Sequence, residues 1–237
     1  METWNGFKKI SFNFYGREAI LVFPKDENKT DKWLLKTEYF GAFPGFEIKM
    51  LENGWHLAYV ANKTRWCLEE DIDLKKRFAD FLSKEYELCK KCVPVGMSCG
   101  GLIGIKFAAK YPQYVSAMYI DAPVVNLLSC PAALGVGTSK TLPEFIEATG
   151  MTLSELISYR EHPMDKMSYL TDNDIPIALV YGTADTEVPY CENGAILEKH
   201  YRESNGRILV ISKEGCGHHP HGLDDPTLIV DFILRNI

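Results

Sequence analysis

Residues 95–101 read Val-Gly-Met-Ser-Cys-Gly-Gly, after a short β-like run, Cys92–Val95, and before a helix-like stretch, Leu102–Lys110. A serine between glycines at a strand-to-helix corner is the G-x-S-x-G nucleophile elbow. The corner leaves no room for Cβ atoms at its flanks, so Gly96 and Gly100 stand there and Ser98 projects its hydroxyl above the sheet edge. The same pattern also suits a plain glycine-rich turn. The strand before it, the helix after it and the partners further along weigh against that blander reading.

A serine hydroxyl is a poor nucleophile until a base takes its proton and a carboxylate orients that base. Behind such an elbow the acid comes first in the chain and the histidine second. Ile175–Tyr181 reads as a strand, and Gly182-Thr-Ala-Asp185 turns after it, which makes Asp185 the candidate acid. Asp185 could instead cap the turn before Val188-Pro189. Glu187 is a rival two residues on, whereas Asp174 precedes the strand and sits at the wrong edge. The next strand, Arg207–Ser212, leads into Gly215-Cys-Gly-His218-His-Pro-His221. His218, directly after Gly217, is the candidate general base, and His219 and His221 are expected to pack the loop or touch substrate. Three histidines in four positions also raise a metal site. No Asp, Glu or Cys set with zinc spacing accompanies them, so neither metal nor cofactor is expected.

An oxyanion needs two backbone N–H donors. Cys99, following the nucleophile, supplies one, and the loop from Lys25 to Phe43 should supply the other, with Trp33 the candidate. Asp121 ends a strand at the ligand edge and is a candidate substrate contact, equally readable as a turn former before Ala-Pro. Glu38, Tyr190 and His219 are further candidates for the pocket rim. A Cys99 thiol nucleophile is rejected, because serine holds the elbow position.

These residues need a scaffold of alternating elements. Strand-like Lys9–Tyr15 and Glu18–Pro24 form a hairpin, followed by a polar loop, a helix at Phe43–Asn53 and a strand at His56–Ala61. Asp71–Leu88 is amphipathic, with Ile72, Phe78, Phe81, Leu82 and Tyr86 on one side. Strand Val115–Ile120, short helices at Pro143–Thr149 and Thr152–Glu161, and helices Glu192–Glu203 and Asp225–Arg235 complete the pattern. Such alternation predicts an α/β fold: a mostly parallel twisted sheet with helices on both faces and an N-terminal antiparallel hairpin. A single domain, 1–237, with a small cap or lid insertion at about 124–173 is expected.

Composition excludes other classes. At 237 residues the chain can bury a full core, and its net charge of −6 shows no basic stripe for nucleic acid. Lys75-Lys76-Arg77 reads as the solvated face of an amphipathic helix. No apolar run approaches a bilayer span and no export signal is evident, so a cytoplasmic location with no membrane partner is expected. The seven scattered cysteines read as free thiols, Cys89-x-x-Cys92 included.

Gly-Met-Ser98-Cys-Gly-Gly, Val180-Tyr-Gly-Thr-Ala-Asp185 and Gly215-Cys-Gly-His218-His-Pro-His together resemble the α/β-hydrolase superfamily over essentially the whole chain. Small bacterial esterase-like members, themselves similar to prolyl-oligopeptidase-type hydrolase domains, are the nearest resemblance. It implies nucleophile Ser98, acid Asp185 and base His218. Trp33 to Phe40 and Asp121 to Val124 also resemble motifs of one such group, implying an oxyanion contribution near Trp33 and a pocket near Asp121. The better-known members carry a His-Gly pair in the oxyanion loop that is missing here. Hydrolysis of a small carboxylic ester, such as an acylated sugar or an aryl or alkyl ester, is the expected activity. Acyl transfer, peptide cleavage by the same triad, and a non-catalytic ligand-binding role stand as alternatives.

Overall fold

The computed structural model describes residues 2–237. Nine strands form one sheet in the order β1-β2-β3-β5-β4-β6-β7-β8-β9. The strands are β1 (Glu2–Trp4), β2 (Phe7–Phe14), β3 (Arg17–Val22), β4 (Trp33–Lys36), β5 (His56–Val60), β6 (Val93–Met97), β7 (Met118–Asp121), β8 (Ile177–Gly182) and β9 (Ile208–Lys213). Pairing is antiparallel from β1 through β3 to β5 and parallel from β5 to β9. The expected hairpin and mostly parallel sheet are thus both present.

Helices cover both faces, and the strand sequences require it. β4, β5, β6 and β7 are buried along their whole length, as two-sided parallel strands are. On one face α2 (Glu69–Tyr86) and α3 (Cys99–Lys110) contribute Ile72, Phe78, Leu82, Leu102, Ile103 and Phe107 to the larger core. Lys75 of α2, read from sequence as part of a solvated face, is instead buried, its Nζ donating to the Val60 carbonyl at 3.2 Å and to Asn62 Oδ1 at 2.5 Å. The opposite face holds α1 (Gly45–Glu52) and α8 (Thr227–Arg235), with Phe46, Met50, Ile229 and Ile233 against Val95, Tyr119 and Val180. Each such fully buried apolar side chain is worth about 1.5–3 kcal/mol.

β4 lies within the stretch read from sequence as a loop. It is only Trp-Leu-Leu-Lys, and its last residue, Lys36, is a charge that breaks the apolar pattern. Lys36 is nevertheless fully buried, because its Nζ meets Glu47 Oε1 on α1 at 2.5 Å. β4 sits between β5 and β6, where the chain order reverses, and ligands of open α/β sheets bind at such a switch point.

Between β7 and β8 the chain runs through α4 (Leu142–Thr149), α5 (Leu153–Ser158) and α6 (Met167–Thr171), where only the first two were expected. A bidentate contact from Arg65 to Glu144, one arm at 2.7 Å, and a 3.0 Å bond from Trp66 Nε1 to Glu144 hold α4 to the segment after β5. α7 (Gly194–Glu203) lies between β8 and β9. Among the described residues no helix is long and apolar enough to cross a membrane.

Candidate active site

Strand β6 ends at Met97 and α3 begins at Cys99, leaving Ser98 alone to make the corner. Its backbone sits at φ +53°, ψ −119°, outside the regions that L residues favour. Gly96 makes the corner possible: a Cβ there would lie 2.3 Å from the Gly100 carbonyl oxygen. Thr37, just past β4, braces the same corner, its hydroxyl donating to the Gly100 carbonyl at 2.7 Å. No motif flagged Thr37, because its role depends on β4 lying beside β6.

Ser98 Oγ lies 3.0 Å from His218 Nε2, and His218 Nδ1 lies 2.7 Å from Asp185 Oδ2. Three side chains read separately from the sequence therefore meet at the carboxyl edge of the sheet. Asp185 and His218 are buried and Ser98 is half-buried. Both readings of Asp185 hold at once: Oδ1 accepts the backbone N–H groups of Glu187 and Val188, each at 2.9 Å, while Oδ2 faces the imidazole. With a carboxylate on Nδ1, that nitrogen carries the proton and Nε2 is left to accept one from the serine.

The acid turn and the histidine loop are stitched together. Ala184 N–H donates to the Cys216 carbonyl at 2.9 Å and Gly215 N–H to Thr183 Oγ1 at 2.8 Å. Gly182 permits the approach, since a Cβ there would meet the Gly217 carbonyl oxygen at 2.3 Å. Asp121, proposed from sequence as a substrate contact, instead belongs to this framework. Its carboxylate is buried, taking the Gly222 N–H at 2.6 Å and facing His221 Nδ1 at 3.0 Å.

A cleft of about 240 Å³ opens in front of Ser98, walled by Tyr39, Phe43, Trp66, Val188 and His219, with Cys130, Ser139 and Thr141 from the β7–β8 segment. Phe43 and His219 stack with ring centroids 5.9 Å apart. Burial, and then the neighbouring His221 and His218 rings, hold the His219 imidazole below its ordinary pKa. The Cys99 thiol is pushed up to about 12 by burial and stays protonated.

Cys99 opens α3, so its N–H has no intrahelical acceptor and is available at the cleft. Trp33 does not reach the site. Leu34 pairs with Val93, which puts Trp33 level with Cys92, about 20 Å along the strand from Ser98. Its indole N–H donates to the Cys89 carbonyl at 2.8 Å. The loop that does reach the cleft is Thr37–Phe43, through Tyr39, Ala42 and Phe43. Glu38 and Tyr190 also fall outside the cleft lining. Glu38 takes bonds from Asn62 Nδ2 at 2.5 Å and from the Tyr39 N–H at 3.2 Å. Tyr190 stacks flat on Tyr181 at 3.5 Å and bonds Glu198. Both are polar residues spent on holding loops, which sequence alone does not separate from substrate contacts.

No protein family and no curated protein matches the sequence. Solved structures match over nearly the whole chain. Acylaminoacyl peptidase of Pyrococcus horikoshii superposes with a TM-score of 0.75 at 18% identity, covering 98% of this chain and 42% of that one. Dipeptidyl peptidase 4 of Porphyromonas gingivalis gives 0.71 at 14%, covering 99% and 36%. MPT51 (FbpC1) of Mycobacterium tuberculosis gives 0.64 at 15%, covering 90% and 91%. This chain thus spans about two-fifths of the length of the two peptidases. The likeness establishes the α/β-hydrolase fold.

Proposed function

We propose that the protein is a serine hydrolase cleaving the carboxylic ester of a small substrate through an acyl-enzyme on Ser98. The observation that carries this reading is the continuous line Ser98–His218–Asp185, at 3.0 and 2.7 Å. Ser98 Oγ attacks the ester carbonyl while His218 Nε2 takes its proton, and the same nitrogen returns that proton to the departing alkoxide. Water then repeats the sequence, releasing the acid and restoring the serine. Asp185 keeps the imidazole oriented and stabilises its cationic form. The Cys99 N–H supplies one oxyanion donor, and the second falls to the loop after β4, where Tyr39 reaches the cleft.

Cleft size favours a small ester. About 240 Å³ is below the range of about 300–1,000 Å³ for sites that enclose drug-sized ligands. Aromatic walls suit an aryl or sugar-like group. A Ser98→Ala variant that retains the native circular dichroism should lose p-nitrophenyl acetate turnover, and a fluorophosphonate probe should label only the wild type. An undiminished rate in that variant would sink the reading.

A peptidase reading is favoured by the likeness to an acylaminoacyl peptidase and a dipeptidyl peptidase. Turnover of N-acyl-peptide p-nitroanilides exceeding that of matched esters would establish it. Acyl transfer would appear as ester products when alcohols are added.

A further inference from the structure

Beside the Asp185–His218 pair stands a second acid–imidazole pair with the same polarity. Asp121 Oδ1 lies 3.0 Å from His221 Nδ1, as Asp185 Oδ2 lies 2.7 Å from His218 Nδ1. Both carboxylates are buried, and both rings therefore keep Nδ1 occupied and turn Nε2 away from the acid. The centroids of these rings are 4.8 Å apart, and the His219 ring lies 4.9 Å from His218 and 4.8 Å from His221. One ligand nitrogen from each of the three lies within 4.8 Å of the others. All three residues line the cleft, His219 exposed and the other two buried.

Metal-binding imidazoles carry this same feature: one nitrogen tied to a carboxylate, which fixes the ring and raises the basicity of the other nitrogen. Four-coordinate zinc with Zn–N bonds of about 2.1 Å holds its nitrogens about 3.4 Å apart. Shortening the longest edge of the triangle by about 1.4 Å would reach that spacing. His219 is the exposed member and no carboxylate holds it, so its ring, sliding on Phe43, is the one that makes the adjustment.

We propose that His218, His219 and His221 form a binding site for a zinc-like divalent cation, closed by a water or a substrate oxygen, that is occupied only when His218 Nε2 gives up Ser98 Oγ. The cation and the serine compete for one lone pair. No covalent bond forms and no electron moves. A neutral Nε2 donates its pair to the ion, and the Ser98 hydroxyl keeps its proton. Sequence spacing alone speaks against a metal here, because the acids that brace the rings, Asp121 and Asp185, come from β7 and from the turn after β8. The site goes beyond the proposed hydrolysis and exists whether or not Ser98 turns over a substrate.

Isothermal titration of the whole chain with zinc chloride, read as binding rather than activity, tests it. One saturable site is expected in the wild type. Ser98→Ala, which removes the competitor, should bind as tightly or more tightly, and His219→Ala should bind at least 10-fold more weakly. His219 is exposed, so its truncation leaves the core intact, and circular dichroism checks that it does. Absence of saturable binding in the wild type would overturn the site. So would equal affinity in His219→Ala, since that places the ion elsewhere, for example at the exposed Cys191 thiol.

Discussion

The backbone N–H of Ser98 donates to the carbonyl oxygen of Asp121 at 2.9 Å. The residue that carries the nucleophile is therefore pinned to the residue whose carboxylate holds His221 and Gly222 in the histidine loop. Asp121 never touches the cleft, yet it sets the distance between the two ends of the relay. Asp121→Asn keeps the shape and removes the charge, so one of the two loop contacts is lost. Turnover should fall up to about 100-fold, the scale of a displacement of about 1 Å at the reacting groups. Losing one charge-assisted hydrogen bond costs about 1.5–3 kcal/mol and lowers Tm by about 5–10 °C. Ester hydrolysis measured well below that Tm separates the two effects. A kcat unchanged at such a temperature would show that Asp121 serves stability alone.

Asp185→Asn leaves the acid turn in place, because an amide oxygen can still accept the Glu187 and Val188 N–H groups. Its amide can, however, donate to His218 Nδ1 and select the wrong tautomer. In serine proteases the wrong tautomer costs about 10⁴-fold in kcat, so a drop of about 10³- to 10⁴-fold is expected here, with little change in thermal stability. Steady-state kinetics with a melting curve on the same sample checks both.

Gly182 faces the carbonyl oxygens of Gly217 and Cys216 closely enough that a methyl group must push the loop away. Gly182→Ala should therefore move His218 from Ser98 and cut kcat/KM by at least about 10-fold, the scale of a small misplacement of catalytic groups. Gly217→Ala, whose Cβ meets nothing within 4 Å, should be far milder. Equal losses in the two variants would count against the close approach as the cause.

His56 opens β5 fully buried, with Nδ1 lacking a hydrogen-bond partner among the described residues. Desolvation lowers its pKa from 6.5 to about 4. The folded state resists a proton that the unfolded chain accepts below pH 6.5. Stability is thus complete above about pH 6.5 and declines as pH falls toward about 4, by at most about 3 kcal/mol from this residue. Urea midpoints between about pH 7 and pH 4.5 should show that decline, and His56→Phe should flatten it.

Motifs whose chemistry is local are legible in the chain by itself. Ser98, Asp185 and His218 each stand at the end of an apolar run, and the glycines beside them mark tight turns. Residues that act through long-range pairing are not. Lys36 ends a strand because Glu47, eleven positions on, neutralises it inside the protein. Without that partner in view, the pattern gives a loop where β4 runs and makes Trp33 a donor. Asp121, Glu38 and Tyr190 are polar residues near the correct edge, and only their partners reveal that they hold the frame. The β7–β8 segment is visible as a break in strand rhythm, but the Arg65–Glu144 tie that fixes α4 is not.

The unusual dihedral angles at residue 98 carry a cost of about 1–3 kcal/mol for any side chain. Glycine adopts them freely, so a mutation that destroys the hydroxyl there can harden the molecule against heat even after glycine's own entropic penalty. Durability and reactivity are set against each other at a single backbone position.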